Sequence, residues 1–94
     1  MIKKKLQNMP YAQAYVVIDE HGAKTLVSYT TEVVTIDPLG WLTCTGTYSQ
    51  TTRKHISYFM REYTNLTYYH AKDAYENNYT INIYSREIQF LGDG

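Results

Sequence analysis

Apolar and polar residues alternate through the first half of the chain, change to a helical period in its third quarter, and alternate again near the end. Ala14-Tyr15-Val16-Val17-Ile18-Asp19 is rich in β-branched and aromatic residues and reads as a strand. Asp19-Glu20-His21-Gly22 supplies turn chemistry, with Gly22 free to take a positive φ. The return strand over residues 25–30 runs almost without pause into residues 32–37, so a bulge or corner is expected near Thr30-Thr31. Asp37-Pro38-Leu39-Gly40 makes a second turn, with Pro38 preset for its first corner. A fourth strand follows over residues 41–46. Its alternation puts Trp41, Thr43 and Thr45 on one face and Leu42, Cys44 and Gly46 on the other.

At Tyr48 the alternation stops. Thr52, Ile56, Phe59, Met60 and Tyr63 then recur at the spacing of one helix stripe, while Arg53, Lys54, Ser57, Arg61 and Glu62 form the opposite, wet face. Ser49 is the best N-cap, with Thr51 as its rival. Asn65 offers a left-handed stop, and Thr67 begins a shorter helix ending at Asn77-Asn78. Residues 79–84 alternate as a further strand, and a turn at Ser85-Arg86 leads to a last one over 87–91. These elements predict an α+β fold: a single small domain with an antiparallel sheet of about four to six strands and two helices on one face.

A length of 94 residues supports one core, expected over residues 11–94, and residues 1–10 read as a flexible basic leader carrying Lys3, Lys4 and Lys5. Nine basic and nine acidic residues cancel, which excludes a strong global field for DNA or anionic membranes but permits local patches. Eleven tyrosines against two phenylalanines and one tryptophan are the compositional anomaly. They suit either the half-buried edges of a small sheet or an aromatic contact surface. Cys44 is alone, so no intrachain disulfide can form. No signal-peptide or membrane-length apolar run is present, and the cytoplasm is the expected compartment.

Little in the chain points to catalysis. His21, His55, His70 and Cys44 are scattered without metal-ligand spacing, no phosphate-binding glycine loop exists, and no cofactor is expected. Cys44 or Ser49 with His55 would make a nucleophile and base, but Cys44 falls on a core face and no oxyanion-forming loop adjoins it. The start of the long helix is different. Ser49, Gln50, Thr51 and Thr52 place hydroxyl and amide donors beside free backbone N–H groups, and Arg53, Lys54 and His55 add positive charge where helices usually place acids. An anionic partner fits there, either a carboxylate cluster on a protein or a phosphate, with Tyr48 and Tyr58 near enough to pack or stack. A capped helix with an ordinary polar face is the structural alternative.

Tyr48-Ser49-x-Thr51-Thr52-x-x-His55-Ile56, followed by Phe59 and Glu62, resembles the centre of small uncharacterised proteins from phages, plasmids and related mobile elements of Gram-positive bacteria. A preceding segment like Ser28-Tyr29-Thr30-Thr31-Glu32-Val33 and a tail with Asn82-Ile83-Tyr84 belong to the same resemblance. That context implies a protein that binds and blocks a host complex, including the nucleases of bacterial immunity, in the manner of an anti-CRISPR inhibitor. The resulting expectation is a non-enzymatic binding module that prefers protein. A small nucleic-acid-binding regulator comes second and a small enzyme using His55 a distant third. No membrane partner is expected.

Overall fold

In the computed structural model, which describes residues 1–46 and 49–92, the alternating segments form an antiparallel sheet with every strand beside its sequence neighbour. The strands are β1 (Ile2–Lys5), β2 (Ala14–Ile18), β3 (Lys24–Ser28), β4 (Thr31–Ile36), β5 (Trp41–Cys44), β6 (Tyr79–Asn82) and β7 (Ile88–Phe90). Helices α1 (Gln50–Tyr63) and α2 (Tyr68–Glu76) are inserted between β5 and β6. α1 packs over β3 and α2 over β5 and β6, so both cover the same sheet face. This is the α+β arrangement that the pattern implied, with 7 strands rather than four to six.

The additional strand lies in the segment read as a flexible leader. Lys3, Lys4 and Lys5 pair with Val17, Val16 and Tyr15 of β2, and Leu6 directly after them is fully buried. The Gln7 N–H donates to Glu62 Oε1 on α1 at 2.8 Å, which fastens the end of this segment to the helix. Consecutive lysines disguised β1 because an edge strand needs no apolar face, and lysine there blocks pairing with other chains.

The corner between β3 and β4 also differs from expectation. Ser28 pairs with Thr31, so Tyr29 and Thr30 form a two-residue hairpin connection with Tyr29 at φ 58°. The register shift falls earlier, between Leu26 and Val27, where Leu26 pairs with Val34 but Val27 pairs with Glu32. Val33 is the additional residue of this bulge and is itself buried. A tyrosine in the left-handed region costs roughly 1–2 kcal/mol, because its Cβ crowds the carbonyl oxygen.

Alternation along the strands delivers the core. Val16, Leu26, Val34, Ile36 and Leu42 from the sheet meet Ile56, Phe59 and Met60 of α1 and Ala71 and Ala74 of α2. Cys44 joins them as expected of the Leu42 and Cys44 face, and Trp41 and Thr43 stay half-buried on the other. α1 ends at Thr64, not at a left-handed Asn65. Thr64 keeps an extended φ of −142°, its N–H and hydroxyl both donate to the Met60 carbonyl, and its Oγ1 accepts from the Leu66 N–H. Three hydrogen bonds from one side chain and its amide do the work that a left-handed residue would do.

α2 is tied to β6 by Tyr79, whose hydroxyl donates to Asp73 Oδ2 at 2.5 Å. Burial first, then the Asp73 carboxylate, push the Tyr79 phenol up to about 12. An unfolded chain therefore loses this proton near pH 10, before the folded one does. The associated stability is full below pH 10 and is lost as pH rises towards 12. Because Asp73 is exposed, the loss is expected to be roughly 1–2 kcal/mol. Tyr79→Phe should flatten the decline in urea-unfolding stability between about pH 9.5 and 11.5.

Candidate functional site

The helix expected after residue 48 emerges where the sequence placed it. Ser49 takes extended backbone angles and its Oγ accepts the Thr52 N–H at 3.1 Å, an N-cap worth about 1 kcal/mol. The first turn of α1 holds no acid. Four residues further on, the helix splits the expected site into two environments.

Thr52 and His55 face inward and are 4% and 1% exposed. Ser28, at the end of β3, meets both: its Oγ lies 2.8 Å from His55 Nδ1 and 3.1 Å from Thr52 Oγ1. The Ser49 hydroxyl donates to Thr52 Oγ1 at 3.2 Å. With the proton of His55 on Nε2, a single directional chain runs Ser49 to Thr52 to Ser28 to His55, each hydroxyl donating once. Desolvation holds the His55 imidazole below its ordinary 6.5, as suits the neutral acceptor at the end of that chain. This corrects two of the sequence assignments. Thr52 and His55 do not offer donors or charge to a partner; they pin α1 to the β3–β4 hairpin. The two segments carrying the resemblance, around Ser28 and around Ser49–Ile56, are thereby brought into contact.

Arg53 and Lys54 face outward. Both are exposed, and among the described residues no acid pairs with either. Ser49 and Thr51 are exposed as well, Thr51 on the outer surface of the first turn. Tyr58 is half-buried against the core, with the Arg61 guanidinium 5.3 Å above its ring, so it supports the surface more than it presents one. Tyr48 lies outside the described residues.

The outward face of α1 does not stand alone. Gln50, Arg53, Lys54 and Ser57 form one wall of a depression of about 300 Å³, and Tyr68 and Tyr69 of α2 form the other. A second depression of about 230 Å³ continues it along Ser57 and Arg61 to Thr67. Tyr69 is 75% exposed and meets Tyr68 edge-on, with ring centroids 5.5 Å apart. The Tyr68 hydroxyl is buried and has no hydrogen-bond partner among the described residues, an uncommon condition for a phenol. The result is a groove between the helices that is basic on one side and aromatic on the other. Beyond Tyr69 another depression carries Lys72, Asp73 and Glu76, but its one lysine is paired with Glu76 at 3.1 Å and Asp73 accepts from Tyr79, so it offers no free cation. Sequence reading found the α1 wall and missed Tyr68 and Tyr69. Thr67-Tyr68-Tyr69 marks a capped helix start, but which way its tyrosines face is set by helix packing, so no local signal placed them beside α1.

Two residue types that suggested chemistry have structural roles here. Burial raises the Cys44 thiol above its ordinary range, and its Sγ–H donates to the Gly46 carbonyl at 3.6 Å. Its reaction with a disulfide reagent such as DTNB is expected to be at least about a hundredfold slower in the native protein than in urea. Native labelling as fast as the unfolded rate would contradict its burial. Among the described residues no cluster of His, Cys, Asp and Glu could hold a metal ion, and no helix is long and apolar enough to cross a membrane.

Residues 2–77 match the model of DUF8033, a family of unknown function, and the chain belongs to it. The match begins with β1 and spans both helices, so the groove lies within the shared region. Searches of curated proteins and of solved structures find no significant match.

Proposed function

We propose that this protein is a non-enzymatic binding module whose α1–α2 groove docks on an acidic surface of a partner protein. The observation that carries this reading is the pair Arg53 and Lys54, exposed, without an acid partner among the described residues, and facing Tyr69 across one groove. Uncompensated cations beside an exposed aromatic ring match the composition of protein contact surfaces, where tyrosine and arginine anchor binding. The resemblance to proteins of phages and mobile elements supplies the context: a partner in a host complex, with anti-defence inhibition of the anti-CRISPR kind, directed at a CRISPR nuclease, as the specific form. The balanced net charge of the chain argues for this docking mode over wholesale mimicry of DNA.

Nucleic acid is the second reading, favoured by the exposure of the Tyr69 ring next to two cations, on which a base would stack. An enzyme using His55 is not favoured, because the imidazole is 1% exposed, is bound to Ser28 and itself lines none of the described depressions. Arg53→Ala with Lys54→Ala is expected to weaken partner binding by about a hundredfold, at about 1.4 kcal/mol for each lost contact. Both residues are exposed, so melting should be unchanged. Protein docking should decline gently with added salt, whereas nucleic-acid binding should fall steeply. Undiminished binding by the folded double variant would remove the groove from the account.

A further inference from the structure

On the far side of the molecule from α2, the edge strand β1 and the β3–β4 hairpin enclose a depression of about 350 Å³. That volume is at the lower end of small-ligand sites. Lys3, Lys4 and Lys5 line it together with Tyr15 and Tyr29. No acid lines it, and no acid of the described residues pairs with any of the three lysines. Alternation along β1 puts Lys3 and Lys5 on the face of Tyr15 and Lys4 on the other, and solvent leaves the repulsion between the two like charges on one face only screened. The Lys3 ammonium already sits 4.4 Å from the centre of the Tyr15 ring, so one cation is held in place by an aromatic wall.

Tyr29 supplies an independent observation. It occupies a hairpin position with φ 58° that asparagine or glycine would fill without strain. Its ring is half-exposed, lines the depression, and leans on buried His55 at 5.7 Å between ring centroids. The Ser49, Thr52, Ser28 and His55 chain thus fixes the floor on which Tyr29 rests. A bulky side chain kept where the backbone disfavours it is best accounted for by what the side chain does. Lysines for phosphate oxygens and a half-exposed phenol ring for a base are the two halves of nucleotide recognition.

We propose that Lys3, Lys5, Tyr15 and Tyr29 form a binding site for a nucleoside phosphate, either a free nucleotide or the phosphorylated end of a single strand. The site is separate from the helix groove and stands whether or not that groove binds protein. The test is an NMR titration of the full chain with ATP, inorganic pyrophosphate and a 5′-phosphorylated oligothymidylate, followed at the backbone amides. ATP should shift the amides of residues 3–5, 15 and 29 and leave those of 53, 54 and 69 in place. Pyrophosphate should bind more weakly than ATP, because it has no base for Tyr29. Tyr29→Asn, which suits the same backbone angles, should fold with equal or higher melting temperature and yet bind ATP about tenfold more weakly. Lys3→Gln with Lys5→Gln should weaken all three probes by about tenfold or more. Tighter binding of the oligonucleotide than of ATP on the same amides identifies a strand end as the natural source, and the reverse identifies a free nucleotide. The proposal is overturned by an absence of shifts at roughly 5 mM ATP, where even millimolar affinity would show. Equal affinity for pyrophosphate and ATP, or shifts centred on the helix groove, would overturn it as well.

Discussion

Replacing His55 with alanine is expected to destabilise the protein by about 3 kcal/mol or more, one of the largest effects of any single polar residue in the chain. Two causes add. The imidazole is 1% exposed, so its removal leaves a cavity beneath α1. The Ser28 hydroxyl also loses its 2.8 Å acceptor in a buried setting, and Thr52 remains its only described side-chain partner. Chemical denaturation reads the loss directly. A pH series separates this role from a catalytic one. Burial holds the folded imidazole below 6.5, so as pH falls the unfolded chain takes up this proton first. Stability is therefore complete above about pH 6.5 and is lost as pH drops towards the lower folded value. His55→Ala should show a shallower acid decline than the wild type. If the variant is as stable as the wild type, the imidazole does not hold the hairpin to the helix.

Leu6→Ala is expected to cost about 2–5 kcal/mol, whereas changing Lys3, Lys4 and Lys5 together to glutamine should alter stability by less than about 1 kcal/mol. Leu6 is fully buried, and its segment is held by pairing with β2 and by the Gln7 bond to Glu62. The lysines are exposed and contribute their backbone to the sheet, which glutamine preserves. A leader without structure would give the opposite pattern, with Leu6→Ala silent. Melting curves of the two variants decide between them.

Strong periodicity made most of the fold legible. Val16, Leu26, Val34, Ile36 and Leu42 alternate onto one face, and Thr52, Ile56, Phe59 and Met60 form a helix stripe that meets them. What escaped were features in which local preference is overruled. β1 carries lysines on both faces because an edge strand has only one neighbour to satisfy. Tyr29 occupies a left-handed position that composition assigns to glycine or asparagine, which hid the hairpin. Asn65 looked like a helix stop, but Thr64 satisfies the last carbonyl without positive φ.

The candidate site was legible in one dimension only. Ser49, Arg53 and Lys54 could be assigned as a cap and an outward basic turn from sequence spacing, and the structure keeps them there. Thr52 and His55, one to three residues away, point the other way. A 100° rotation per residue divides neighbours between core and solvent, and polar type alone does not say which side a hydroxyl or imidazole takes. Ser28, 27 residues from His55 in sequence, could not be linked to it without the fold. Tyr68 and Tyr69 complete the groove through helix packing, a relation that depends on how the Thr64–Thr67 connection turns the chain.

The central claim is that a partner protein sits between α1 and α2, and site-specific photo-crosslinking tests it most directly. A benzophenone amino acid at Ser57, on the α1 wall of the groove, is compared in a bacterial lysate with one at Thr43, on the helix-free face of the sheet. The account predicts a discrete, nuclease-resistant protein adduct from position 57, absent when Arg53 and Lys54 are alanine, and none from position 43. An adduct from position 43 alone, or one at 57 that survives loss of both cations, would contradict it.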